Sequence, residues 1–163
     1  MTDLSSTIAP GLANYYEKTA AELHKWVEPL STERFWRNPY PYGNSVGHLV
    51  LHLTGNLNYY IGGRIAETGY IRNRDREFTE QQRPAKEQVL REFDRTIALV
   101  VATIHKQSAE DWMAAYSAER EPEAKDRFTI FLRCAGHAYH HVGQIIYLCK
   151  ELTREAAPRA APV

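Results

Sequence analysis

The sequence predicts an all-α protein, a bundle of four long helices joined by long crossover connections. Three observations carry this. Apolar residues recur at three- and four-residue intervals over four separate stretches, the period of a helix that buries one face. No stretch shows the two-residue alternation of a half-buried strand. The segments between the second and third and between the third and fourth stretches are charged, carry turn-forming residues and are long for simple antiparallel turns, so the chain is expected to cross over.

The first helix is read from Leu12 to about Leu30, on Leu12, Tyr15, Tyr16, Thr19, Leu23 and Trp26, with Pro10 and Gly11 just before it. Ser31 to Gly43 holds Pro39, Pro41 and Gly43 among Phe35, Trp36, Tyr40 and Tyr42, which reads as a loop packed onto the bundle. Asn44 or Ser45 then suits a helix N-cap. The second helix carries Val46, Leu49, Val50, Leu53, Leu57, Tyr60 and Ile61 and runs to the neighbourhood of Glu67, with Gly69 as its stop. Tyr70 to Arg83 forms the first long connection. Pro84 opens the third helix, whose stripe is Val89, Leu90, Phe93, Ile97, Val100, Val101 and Ile104. A second long link, from Gln107 to about Lys125, includes Trp112, Tyr116 and Pro122. The fourth helix is expected from about Asp126 to Leu152, with Phe128, Phe131, Cys134, Ala135, Ala138, Val142, Ile145 and Cys149 facing inward. Residues 1–155 are read as one domain and 156–163, rich in alanine and proline, as a flexible tail.

Composition narrows the function classes. Lysine plus arginine and aspartate plus glutamate number 20 each in 163 residues, so the chain lacks the positive charge that nucleic acid or anionic membranes select. No run approaches the roughly 18 apolar residues of a membrane span, and the N-terminus has no signal-like segment. A cytoplasmic location is expected, with no nucleic-acid or membrane partner. The two cysteines, Cys134 and Cys149, sit far apart on one helix and form neither a disulfide framework nor a zinc-knuckle spacing.

Chemistry concentrates in the histidines. Four of the seven fall into two pairs at four-residue spacing, His48 with His52 and His137 with His141. Residues four apart on a helix stand about 40° apart around its axis, so both imidazoles of a pair can reach one ion. Each pair borders its helix's apolar stripe, where a side chain reaches a neighbouring helix. Three neutral histidines from two helices would bind zinc or a similar divalent ion and leave a coordination position open. The simpler alternative is hydrogen-bonded packing at the core's edge. A carboxylate-bridged di-iron centre is excluded because no Glu-x-x-His occurs, and Cys-x-x-Cys-His and His-Glu-x-x-His are absent too.

The segment from Asn44 to Asn56 and the segment from His137 to Ile145 resemble the DinB/YfiT-like superfamily. The string His-x-x-His-His-x-Gly-Gln on the fourth helix is the most specific element, and helix order and loop placement extend the resemblance over nearly the whole chain. The resemblance implies a four-helix bundle, commonly a homodimer, whose metal is held by one histidine of the second helix and two of the fourth. It assigns the ligands to His52, which precedes a Leu-x-Gly-Asn segment, and to His137 and His141. His48, one turn earlier, is read as standing behind the ligands or as packing, with a fourth-ligand role left open. Asn56 and Gln144, each about one turn after a ligand, could orient a ligand or a substrate, or serve in packing or capping. His140 points about 100° away from His141 and is not expected to share the ion. Cys134 is read as a small buried residue before an extra ligand.

For activity the resemblance implies a metal-dependent enzyme acting on a small electrophilic substrate. A water nucleophile would make it a hydrolase, and a low-molecular-weight thiol a thiol S-transferase. The alternatives are a non-catalytic, stress-associated metal-binding protein and a metal-free helical dimer. One divalent ion is expected, zinc or nickel first, with iron or manganese also compatible with imidazole ligands. Arg64 and Arg133, on the two metal-bearing helices, are candidates for an anionic thiol's pocket.

Overall fold

A computed structural model describes residues 5–154. Residues 156–163, expected as a tail, lie outside the described residues. Within them the chain forms seven α-helices, no strand, and one isolated antiparallel bridge between Ala115 and Asp126. Four helices are long. They are α1 (Ser5–Val27), α3 (Val46–Leu57), α5 (Lys86–His105) and α7 (Arg127–Arg154), and α3 continues directly into a π-helical segment, Asn58–Gly63. The other three, α2 (Thr32–Trp36), α4 (Arg74–Thr79) and α6 (Ala109–Met113), lie in the segments read as connections.

α1 and α3 each pack against both α5 and α7. Their apolar faces merge into one contiguous cluster that includes Leu23, Leu53, Phe93, Ile104, Phe131 and Ile145. Several details differ from the sequence reading: the second long helix ends with its π-helical segment at Gly63 rather than near Glu67, and α5 begins at Lys86, after Pro84. α1 begins before Pro10 rather than after it: the proline falls in the second turn, where it removes only one N–H from the ladder. Its buried stripe is accordingly Ala9, Ala13, Tyr16, Ala20, Leu23 and Val27, while Tyr15 is exposed. On α7, Phe128 also lies outside the core, at 37% exposure.

Local chemistry sets the helix ends. Ser45 caps α3 by accepting from the His48 N–H, and Ser108 and Asp111 form a reciprocal capping box on α6. Past the π-helical segment, Glu67 (φ +52°) and Gly69 (φ +74°) both take left-handed backbone, a conformation glycine adopts without the strain an L side chain meets. The end of α1 is held by Lys86, a buried ammonium that donates to the carbonyls of Glu28 (2.9 Å) and Leu30 (2.6 Å). Lysine is the natural partner for the carbonyl-rich end of a helix. Trp36, from α2, lays its indole over Gly47 of α3, where any Cβ would collide with the ring, and donates its Nε1–H to the Pro84 carbonyl at 2.8 Å. The Ser31–Gly43 segment is thereby fastened to both α3 and the start of α5.

Candidate metal centre

α3 and α7 lie side by side, and their contact brings together histidines 85 residues apart in sequence. The Nε2 atoms of His52 and His137 stand 3.1 Å apart, and those of His137 and His141 also 3.1 Å. One donor nitrogen from each of the three lies within 4.8 Å of the others. Imidazole nitrogens bound to one zinc-like ion at about 2.0–2.1 Å would be separated by about 3.0–3.4 Å. His52 is buried, while His137 and His141 are half-buried.

Hydrogen bonds behind the rings set which nitrogens face inward. His52 Nδ1 lies 2.8 Å from Glu77 Oε2, so its N–H donates to the carboxylate, and in the neutral ring Nε2 keeps a bare lone pair. His141 Nδ1 donates to Gln144 Oε1 at 2.7 Å, with the same consequence, and the Gln144 amide donates onward to His140 Nε2 at 3.2 Å. His137 Nε2 thus faces two lone pairs, and one hydrogen there would satisfy only one of them. Its own Nδ1 is buried without a partner among the described residues, as is Asn56 Oδ1. Burial, then the neighbouring His141 and His52, push the His137 pKa down to about 3, and burial lowers that of His141. Neutral imidazoles with convergent lone pairs are the donor set a divalent metal ion requires. The three residues fit such an ion.

Nothing in the sequence pattern singles out Glu77 and Arg72. Both lie in the first long connection, Glu77 on α4 and Arg72 just before it. Arg72 donates to both carboxylate oxygens of Glu77, through Nε at 2.7 Å and Nη2 at 2.8 Å. The side chains of His52, Glu77 and Arg72 are 7%, 6% and 8% exposed. Burial acts to raise the Glu77 pKa, but the hydrogen bonds from Arg72 and His52 outweigh it and hold the carboxyl below its usual range. Gly55, on α3, faces this carboxylate: a Cβ there would collide with Glu77 Oε1. The mid-helix glycine of the Leu-x-Gly-Asn segment therefore makes room for the group that holds His52.

His48 takes part differently. Its Nδ1 accepts from the Ser45 hydroxyl at 2.8 Å, its Nε2 donates to the Glu80 carbonyl at 3.3 Å, and its ring meets the edge of Trp36. It bonds to none of the three clustered histidines and instead ties α3 to the end of α4. Gln144 bonds directly to His141. Arg64 donates to the Ser117 carbonyl and Arg133 pairs with Glu121, so both fasten the 114–126 segment. Cys134 is buried, and burial pushes its thiol pKa far up, which leaves it a neutral core residue.

Two clefts reach residues bonded to the cluster, Glu77 in one and Gln144 in the other, though His52, His137 and His141 line neither. One, of about 420 Å³, is lined by Gly55, Tyr70, Arg76 and Glu77 among others. The other, of about 590 Å³, runs past Gln144 and His140 and is walled by Tyr40, Tyr42, Leu49 and Tyr147.

An all-helical protein with a three-histidine cluster contributed by two long helices is the class this geometry defines. The family model of the DinB superfamily matches residues 15–145, and the chain belongs to that superfamily. A solved structure, a DinB-like protein from Bacillus cereus, superposes with a TM-score of 0.66 over 94% of this chain and 96% of that one. The two are 13% identical, so this likeness concerns the fold alone. No curated protein matches the chain.

Proposed function

We propose that His52, His137 and His141 hold one divalent metal ion and that the protein is a metal-dependent enzyme acting on a small electrophile. The observation that carries this reading is the convergence of three Nε2 atoms, two of them fixed as lone-pair donors by Glu77 and Gln144. Three imidazoles leave at least one coordination position for an exogenous group, the arrangement of catalytic rather than closed structural sites. A divalent ion there would lower the pKa of a thiol or water bound to it and so supply a nucleophile near neutral pH. Zinc or nickel suits three imidazoles best. A low-molecular-weight thiol as co-substrate would make the protein an S-transferase, and water a hydrolase. The cleft beside Gln144 is of a size for a small molecule.

In this reading the four long helices are the family's four-helix bundle, the three short ones lie in its crossovers, and residues 1–155 are one domain. Two copies pair through the outer faces of α1 and α7. There Tyr15, Leu132 and Tyr139 are exposed, and Gly136 leaves open space for a facing helix.

Purified protein loaded with zinc or nickel is to be incubated with small electrophiles, with and without a low-molecular-weight thiol. Substrate loss should exceed that of the His137→Ala variant treated identically. Thiol dependence of that loss would select S-transfer over hydrolysis. Equal rates for both proteins across esters, epoxides and activated halides would remove the enzymatic reading and favour a non-catalytic metal-binding role. Sedimentation at micromolar concentration decides between one chain and two.

A further inference from the structure

The three clustered histidines are not held alike. His137 and His141 share α7, where four-residue spacing alone brings their rings together. His52 comes from another helix and reaches them singly, so its ring must be aimed by something else. Glu77 supplies that aim. It accepts from His52 Nδ1 at 2.8 Å and is gripped by two Arg72 N–H groups from the other side. Arg72 also lies near the rings of Tyr59 and Tyr60, its guanidinium carbon 5.9 and 5.8 Å from their centroids.

The seat is built from several directions. Gly55 leaves the space that the carboxylate fills. Asn73 caps α4 by accepting from the Arg76 N–H at 3.1 Å. Arg76 pairs with Glu80 at 3.0 Å, and His48 bonds the Glu80 carbonyl, so the far end of α4 is pinned back onto α3. Phe78 closes over the His52 ring, with centroids 4.8 Å apart. Such a carboxylate behind a histidine fixes its tautomer and orientation.

We propose that Glu77, locked by Arg72 in the space left by Gly55, is the positioning residue for His52, so that the 64–85 connection sets how tightly the cluster takes a divalent ion. This rests on the metal-binding reading above, but the aim of the His52 ring is testable without any metal.

Glu77→Gln keeps the shape and removes the charge. Because it leaves Arg72 buried without its carboxylate, a second variant, Arg72→Met with Glu77→Leu, removes both charges at similar volume. Two readouts are needed. Long-range ¹H–¹⁵N correlation spectra of metal-free protein report the His52 tautomer. The wild type should carry its proton on Nδ1, and the double variant should show the Nε2–H form or a mixture. Competition with a chromophoric chelator gives zinc affinity. Both variants, folded by circular dichroism, should bind zinc about 10- to 100-fold more weakly than wild type. Affinity within twofold of wild type in the folded double variant, or an unchanged His52 tautomer in it, would overturn the proposal. If wild type takes no zinc, the metal reading fails, and the tautomer spectrum alone still decides whether Glu77 aims the ring.

Discussion

Replacing Gly55 by alanine sets two physical effects against each other, and the structure decides which wins. Gly55 lies inside α3, where alanine is favoured over glycine by about 1 kcal/mol of helix propensity. Propensity alone therefore predicts a more stable protein. An ideal Cβ at Gly55, however, collides with Glu77 Oε1 and comes within 2.7 Å of its carboxyl carbon and 3.3 Å of Cγ. The carboxylate is clamped by Arg72 and His52 and has little freedom to yield. Overpacking of this kind costs about 1–3 kcal/mol, and displacing a buried ion pair adds to that. The net expectation is a loss of about 1–3 kcal/mol, or a urea midpoint lower by about 1 M for a typical m-value. The decisive comparison repeats the substitution in an Arg72→Met, Glu77→Ala background, where the space is open. There alanine at position 55 should stabilise by about 1 kcal/mol, so the sign reverses between backgrounds. Stabilisation in both backgrounds would refute the steric argument and the placement of Glu77 against α3.

Three further outcomes follow from the same geometry. Lys86→Met should lower stability by about 2–3 kcal/mol in urea unfolding, because the carbonyls at the end of α1 lose a buried charged donor; a loss under about 0.5 kcal/mol would contradict the cap. His48→Gln should weaken the tie between α3 and α4 yet leave metal content per chain at the wild-type level, measured by elemental analysis after dialysis. Metal-free protein should lose stability as pH falls from about 6.5 toward about 4.5. The sign follows from His137, whose native pKa of about 3 lies below its ordinary value of 6.5, so the unfolded chain binds more protons across that window. The slope is at most about 1.4 kcal/mol per pH unit for this group, and His141 adds in the same direction. Urea midpoints between about pH 7 and 4.5 check it, and a flat profile in that range would contradict a buried neutral cluster.

The parts of the centre that depend on helix geometry are legible in the sequence. A His-x-x-x-His pair on a helix faces one way whatever surrounds it, so spacing alone pairs His137 with His141. The Nε2 cluster adds His52 because the apolar stripes of α3 and α7 fix which faces meet. Glu77 and Arg72 leave no such trace. They sit in a charged stretch without period, and their meaning lies in burial beneath His52, 25 and 20 positions away. Gly55 itself is an ambiguous signal, since glycines inside periodic helices mark close approach of another group at Gly47 and Gly55 but face open space at Gly136 and Gly143. The start of α1 departs from the sequence reading for an opposite reason: Pro10 and Gly11 look like a boundary, yet a proline within the first two turns leaves most of the ladder intact.

The central claim is that three histidines from two helices hold one divalent ion, and metal content measures it most directly. Protein purified without a histidine tag, reconstituted with zinc and dialysed, is to be compared by elemental analysis with His52→Ala and His141→Ala. The account predicts about one ion per chain in wild type and a loss from both variants while the fold is retained by circular dichroism. Wild type without metal after reconstitution, or either variant at full occupancy, would contradict it.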